Sequence, residues 1–170
     1  GFEANDELRK SYIGDNWLKA KVRGTPHNTG DGLKMALDIG AVKHGLYNGC
    51  HATPMDLHMK NYGGLDLEPS ERKNYRKICY FLGIMVNAKG KRFLDEGKNF
   101  RNYTYAQYGK RVLDQPDHFA WQVFDSKVFA LLYEEYTFHD AHFVEADTID
   151  ELITKMDGID KTETKKTKIG

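Results

Sequence analysis

The sequence predicts an α+β fold, because segments with helical spacing of apolar residues alternate with apolar runs of strand length. The clearest helical pattern covers residues 33–41, directly after a glycine-containing loop at residues 29–32. Strands are predicted at residues 80–86 and 119–124, and residues 91–94 are predicted to return along the first strand as a hairpin. The pattern therefore indicates helices packed on antiparallel strands.

Residues at the ends of the predicted helices support these assignments. Asn5 is placed to cap a first short helix. Thr29 or Asp31 can cap the helix after the glycine loop, and Gly40 can end it in a left-handed conformation. A further helix is predicted at residues 102–113. Downstream N-caps are predicted at Asp125 or Ser126 and at Thr148.

Composition excludes several classes of function. The 170 residues carry 25 basic and 25 acidic side chains, which argues against a general nucleic-acid surface. No apolar run approaches the length of about twenty residues that a membrane span needs. Cys50 and Cys79 fit neither a metal-ligand spacing nor a disulfide framework, which favours a reducing cytoplasm. His44, His51 and His58 lack the local spacing of metal ligands, and no metal site is predicted.

Both ends of the sequence indicate a piece of a longer protein. The chain opens at Gly1 without a methionine, and residues 160–170 are polar without apolar periodicity. We therefore expect an internal fragment that ends in a polar tail.

Three charged side chains near the predicted hairpin are candidate ligands for an anionic substrate. Arg92, Glu96 and Arg101 lie within ten residues of one another. An arginine is always charged, and its planar fork fits a carboxylate through two hydrogen bonds. Two arginines there can hold a carboxylate while Glu96 fixes one of them. The alternative is a surface ion-pair network.

Two further sites come from the first third of the chain. Glycines in the loop at residues 29–32 leave the backbone N–H groups at the helix start open to a ligand. His51 follows that helix in a turn-rich segment, where an imidazole can donate a hydrogen bond or carry charge near neutral pH. The alternatives are a capped helix start with no ligand and a partly buried, hydrogen-bonded histidine.

Four motifs occur in the order and approximate spacing of one protein family. They are GFEAN at residues 1–5, TGDGLKMALDIGA at 29–41, CHATP at 50–54 and GIMVNAKGKRFLDE at 83–96. Together they resemble the FAD-dependent fumarate reductase/succinate dehydrogenase-like flavoproteins, a family that also includes the ketosteroid dehydrogenases. The segment RGTPHNTGDG at residues 23–32 is most similar to the tricarballylate dehydrogenase branch of that family.

The resemblance implies a fold and a domain organisation. Residues 1–45 would be the end of a Rossmann-like FAD-binding domain, and residues 46–160 an α+β capping, or clamp, domain that closes over the flavin. Residues 161–170 would be the polar tail. The family's GxGxxG fingerprint is absent, since it belongs near the N-terminus of the intact protein. We therefore expect the fragment alone neither to hold FAD nor to turn over.

The resemblance also implies roles for the candidate residues. His51 matches the family histidine that binds a substrate carboxylate, and Arg101 matches, with an offset of one residue, an arginine that delivers a proton to the substrate. Because the pKa of a free arginine lies above about 12, charge stabilisation is the safer role for Arg101. Arg92 and Glu96 would support substrate binding. The FAD contacts would come from Thr29, Gly30, Asp31 and Gly32.

The implied reaction is hydride transfer between flavin and a small di- or tricarboxylate, with an electron-transfer partner in the intact protein. Tyr75 and Arg76 stand where fumarate reductases carry a Thr-Glu pair, which speaks against a fumarate-type proton relay. Two alternatives remain from the sequence. One is a ketosteroid substrate within the same family, and the other is a cofactor-free α+β binding module.

Overall fold

The computed structural model describes residues 1–167, apart from the side chain of Lys73. Its α-helices are α1 (Asp6–Ile13), α2 (Asp31–Asp38), α3 (Arg101–Leu113), α4 (Ile149–Lys155) and α5 (Lys161–Lys166), and its strands are β1 (Ile84–Asn87) and β2 (Ala120–Val123). Within the described residues no helix has the length and apolar character needed to cross a bilayer.

The chain folds as two compact units. The first contains residues 1–51 and 59–73, and the second contains residues 52–58 together with the chain from residue 74 onward. The domain boundary expected between residues 45 and 46 stays a prediction, because this division by contacts says nothing about domain identity.

In the first unit, α1 begins as predicted. The Asn5 side chain accepts a hydrogen bond of 3.0 Å from the backbone N–H of Leu8. The amide of Asn5 donates to the carbonyl of Thr29 at 2.9 Å, so one residue both caps α1 and holds the loop before α2. This confirms the predicted N-cap.

The start of α2 differs from the prediction. Gly30 is the N-cap, with φ +92°, and no side chain caps the helix. The Thr29 hydroxyl donates a hydrogen bond of 2.8 Å to the Asp31 carboxylate, so the two side chains predicted as caps bind each other instead. A Cβ on Gly30 would lie 2.5 Å from a methyl carbon of Leu8, so packing on α1 also requires glycine.

The end of α2 is as predicted, and its predicted apolar face is half-buried. Gly40 has φ +92°, and the N–H of Ala41 donates to the carbonyl of Ala36. No residue of α2 is buried among the described residues, and Met35 and Ile39 are 64% and 88% exposed. The apolar residues at helical spacing on α2, Leu33, Ala36 and Leu37, are half-buried, because the first unit provides only α1 and short turns to cover them.

The second unit is built on a two-stranded antiparallel sheet in which Ile84 pairs with Val123 and Asn87 pairs with Ala120. The predicted strand at residues 119–124 is confirmed. The predicted strand at residues 80–86 is confirmed only from Ile84, since residues 80–82 form a 3₁₀ turn.

The predicted hairpin between residues 80–86 and 91–94 is wrong. Its turn forms, with the N–H of Gly90 donating to the carbonyl of Asn87, but the returning chain makes only an isolated bridge between Val86 and Arg92. The side chain of Glu96 explains the difference. It accepts the N–H of Met85 at 2.6 Å and so occupies the position that a longer ladder would use.

Two clusters of buried residues cover the two faces of the sheet, as the alternation of side chains along a strand requires. Met85 points to a cluster with Ile78, Tyr80 and Tyr108, against which Tyr105 and Val112 of α3 pack. Val86 and Val123 point to the other, which α4 completes with Ile153. Helix α3, predicted at residues 102–113, thus packs on the sheet through one apolar side.

Other predicted caps are also found. Asp125 accepts the N–H of Lys127 and begins a 3₁₀ helix at Ser126–Leu131. Thr148 accepts the N–H of Glu151 at the start of α4.

Part of the expected polar tail is helical. Asp160 caps α5, and Thr164 is buried against the turn at Gly90, where an added Cβ would lie 2.5 Å from the Thr164 nitrogen. Polar residues can form this helix because the cap and one buried threonine replace an apolar stripe. Residues 168–170 of the predicted tail lie outside the described part of the chain.

A half-buried tyrosine, Tyr136, connects β2 to the segment that precedes β1. The Tyr136 hydroxyl accepts the N–H of Cys79 at 2.8 Å and donates to the Gln122 side chain at 2.6 Å. Burial raises the pKa of Tyr136 well above its ordinary value of 10.0.

At one position, helix α3 approaches an extended segment so closely that only glycine fits. The N–H of Gly109 donates to the carbonyl of Ala52, whose own N–H donates to the carbonyl of Ala106. A Cβ on Gly109 would lie 2.5 Å from the carbonyl carbon of Ala52. We therefore expect Gly109→Ala to lower the free energy of unfolding by about 2 kcal/mol, although alanine favours helices.

Chemical denaturation measures this effect. Gln107→Ala, an exposed position on the same helix, is the control and should be neutral or slightly stabilising. A Gly109→Ala variant as stable as this control would show that the close approach at Ala52 is incorrect.

We expect Tyr136→Phe to lower the free energy of unfolding by about 1–3 kcal/mol at neutral pH, because it leaves the Cys79 N–H without its acceptor. The folded pKa of Tyr136 lies above its unfolded value of 10.0, so the folded state keeps a proton that the unfolded state loses. The stability that Tyr136 provides is therefore complete below pH 10 and declines above it.

Denaturation curves measured between pH 7 and 11 test this prediction. The difference between wild type and Tyr136→Phe should narrow above pH 10. Tyr103→Phe, at a position 70% exposed, is the control for loss of a tyrosine hydroxyl. A constant difference for Tyr136→Phe would contradict the assigned pKa direction.

Candidate functional site

Arg101 is the first residue of α3, and its position is set by buried neighbours. The hydroxyls of Tyr80 and Thr104 share a hydrogen bond of 2.6 Å in the core, and the Thr104 hydroxyl also donates to the carbonyl of Arg101. Burial raises the pKa of Tyr80, and the charge of Arg101 acts in the opposite direction. The guanidinium therefore lies close to the core at the start of a fixed helix.

Aromatic rings, and not carboxylates, surround the Arg101 guanidinium. Its central carbon lies 5.6 Å from the ring centre of Tyr105 and 5.8 Å from that of Tyr133. No carboxylate of residues 1–167 forms an ion pair with it. The side chain is half-buried, so its positive charge remains available to an anion from solution.

The other two candidate side chains of the second unit are paired with each other. Glu96 is 3% exposed, and it accepts a hydrogen bond of 2.5 Å from Arg92 in addition to the one from Met85. The hydrogen bond to Glu96 and its charge raise the pKa of Arg92. Glu96 thus fixes the loop after β1 and neutralises Arg92. A role of this pair in substrate binding stays a prediction.

The loop at residues 29–32 has the features needed to contact a cofactor. The first helical bond of α2 runs from the N–H of Lys34 to the carbonyl of Gly30, which leaves the N–H groups of residues 31–33 without helical acceptors. An added Cβ on Gly32 would meet nothing within 4 Å, so a ligand can approach the backbone there. These residues fit the contact with FAD that the family resemblance implies.

His51 is exposed and belongs to the first unit, and Cys50 beside it is exposed as well. Arg101 belongs to the second unit. The structure describes each side chain within its own unit, and their convergence on one substrate stays a prediction. Among the described residues, no group of three His, Cys, Asp or Glu side chains is arranged to hold a metal ion.

Sequence reasoning did not identify Tyr133. It lies 32 positions beyond Arg101 and belongs to a segment of 3₁₀ turns without a repeating pattern. The only sequence signal is the local density of aromatic residues at Tyr133, Tyr136 and Phe138.

The second unit also contains a cavity of about 860 Å³ beside β2. Its wall is largely apolar and includes Trp121, Phe124, Leu132 and Met156. Arg101 and the two rings beside it are not part of that wall. A cavity of this size is within the usual range for a drug-sized ligand.

Comparisons with known proteins show a likeness in fold. No protein-family model matches the chain, and no curated protein matches it. The chain is similar to the crystal structure of 3-ketosteroid Δ1-dehydrogenase from Sterolibacterium denitrificans in complex with 1,4-androstadiene-3,17-dione, with a TM-score of 0.60 and 24% sequence identity. The similarity covers 98% of this chain and 30% of the dehydrogenase. The chain therefore has the fold of part of a dehydrogenase and spans less than a third of its length.

Proposed function

We propose that this chain is part of an FAD-dependent oxidoreductase that transfers a hydride between flavin and a small di- or tricarboxylate. The observation that carries the proposal is the Arg101 guanidinium, which is half-buried, fixed by the core and unpaired with any carboxylate of residues 1–167. A fixed cation of this kind is suited to binding an anionic ligand.

The chemistry of the second unit favours binding and charge stabilisation over proton transfer. An arginine keeps its proton throughout the physiological range, so Arg101 holds a carboxylate and stabilises negative charge that develops on the substrate. Arg92 is already neutralised by Glu96 at 2.5 Å, which leaves Arg101 as the stronger anion ligand of the two. His51 is proposed as a second carboxylate ligand from the first unit.

The proposed cofactor contacts are Thr29, Gly30, Asp31 and Gly32. The N–H groups at the start of α2 would donate hydrogen bonds to FAD, and the open space at Gly32 would admit it. Bound FAD would supply the hydride acceptor or donor for the reaction. The likeness in fold to part of a dehydrogenase supports an oxidoreductase over a cofactor-free binding module.

Within the same family, we propose tricarballylate as the substrate, based on RGTPHNTGDG at residues 23–32 and on the cation at Arg101. A 3-ketosteroid is the second candidate. It is supported by the substrate class of the dehydrogenase with a similar fold and by the apolar cavity of about 860 Å³ beside β2. A neutral ketone, however, has no need of the fixed positive charge.

An activity screen of the full-length FAD-loaded protein tests the proposal. We expect turnover of succinate or tricarballylate, or reduction of fumarate, with an artificial electron carrier, and none with a 3-ketosteroid. Arg101→Gln should lower kcat/KM by about 100-fold, because it removes a charged pair with the substrate carboxylate. Arg101→Lys should lower it by about 10-fold, because lysine keeps the charge but lacks the planar fork.

Arg111→Gln is the matched control, since Arg111 lies exposed at the other end of α3 and should not affect kcat/KM. Unchanged activity of both Arg101 variants would overturn the site assignment. Turnover of a 3-ketosteroid without turnover of any carboxylate would replace the proposed substrate by the second candidate.

A further inference from the structure

We propose that Tyr133 is a positioning residue for Arg101: its ring holds the guanidinium in place and leaves the cation's charge for a substrate carboxylate. This inference rests on the proposed function, because it assigns Tyr133 a role through the arginine that binds substrate.

The geometry places Arg101 within reach of two aromatic rings from different parts of the unit. Tyr105 lies one turn further along α3, and its ring centre is 5.6 Å from the guanidinium carbon. Tyr133 comes from the segment between two 3₁₀ turns, and its ring centre is 5.8 Å from the same atom. The guanidinium carbon is thus over a ring from its own helix and over a ring from a distant segment.

The backbone around Tyr133 is anchored independently of Arg101. The Tyr133 carbonyl accepts the N–H of Tyr136 at 3.0 Å, and Tyr136 is itself bound to Cys79 and Gln122 through its hydroxyl. Burial raises the pKa of the Cys79 thiol, and a hydrogen bond from the backbone of Tyr133 opposes that rise. These contacts fix the backbone of Tyr133 without using its hydroxyl.

The hydroxyl of Tyr133 has no hydrogen-bond partner among the described residues, and the side chain is 37% exposed. The contribution of Tyr133 at Arg101 therefore comes from its ring. The π face of an aromatic ring attracts a cation without carrying a charge of its own. A carboxylate in the same place would neutralise the cation, as Glu96 does for Arg92 at 2.5 Å.

The difference between a ring and a carboxylate as the partner of a cation explains how Tyr133 can assist substrate binding. Rings restrict the orientation of the guanidinium and exclude water from it, while its N–H donors remain free for a ligand. Restricting a side chain before the ligand arrives lowers the entropy that binding must overcome. Loss of the ring should therefore weaken substrate binding and leave the reaction of bound substrate almost unchanged.

The test uses KM and kcat of the full-length flavoprotein with tricarballylate and fumarate as probes. Tyr133→Leu should raise KM by about 5-fold with kcat changed by less than about 2-fold, which corresponds to one cation–π contact. Tyr133→Phe keeps the ring and should retain wild-type KM within about 2-fold. Tyr103→Leu, which removes a 70% exposed tyrosine near the same helix start, is the matched control.

A double-mutant cycle separates positioning from a structural effect. In an Arg101→Gln background, Tyr133→Leu should add no further change in KM. An equal effect in both backgrounds, or wild-type KM for Tyr133→Leu, would overturn the role of Tyr133. Failure of the proposed function has a different signature, because Arg101→Gln itself would then leave KM and kcat unchanged.

Flavin content and thermal unfolding are measured for every variant. Tyr133→Met fills more of the side-chain volume and replaces Tyr133→Leu in the cycle if the leucine variant loses flavin. The same 5-fold rise in KM is expected for it, and wild-type KM would again overturn the assignment.

Discussion

The packing of α3 against the turn before β1 is the constraint on which the candidate site depends. Tyr80 is fully buried and shares a hydrogen bond with Thr104, so a polar pair inside the core fixes the angle at which α3 begins. At its middle, α3 is held by the close approach of Gly109 to Ala52. Because α3 is fixed at two points, its first residue, Arg101, has a defined position. A binding residue on a loop would be held less precisely.

The arginines of the second unit show two ways of holding a cation. Arg76 and Arg92 are bound by buried carboxylates, Glu135 at 2.6 Å and Glu96 at 2.5 Å. Removing either arginine would leave a buried carboxylate without compensation, so these pairs have a structural role. Arg101 is held by aromatic rings instead. Of these three arginines, Arg101 alone has no carboxylate partner among residues 1–167.

Sequence patterns correctly predicted the features that depend on interactions between residues close together in the chain. The N-cap at Asn5, the left-handed Gly40 and the helix after residue 100 depend on residues within one or two turns of each other. The hairpin prediction is wrong because Glu96, a residue beyond the turn, accepts the hydrogen bond from the N–H of Met85. The apolar face of α2 is only half-buried, because burial depends on what packs against a helix, and no spacing within that helix contains this information.

The candidate site likewise contains residues that the sequence identified and one contact that it did not. Residue type and spacing identified Arg92, Glu96 and Arg101, and the contact of the first two is present at 2.5 Å. The contact of Tyr133 with Arg101 joins residues 32 positions apart, and periodicity carries no information over that distance through irregular turns. The charge of Arg101 also bears on the choice of substrate. A half-buried cation needs a counter-charge, and aromatic rings reduce that need without removing it. A carboxylate ligand would complete the site at Arg101, whereas a neutral ketone would leave the guanidinium without a negative partner. The electrostatics of this one side chain therefore favour an acidic substrate, while the apolar cavity beside β2 has the opposite preference and lies apart from Arg101.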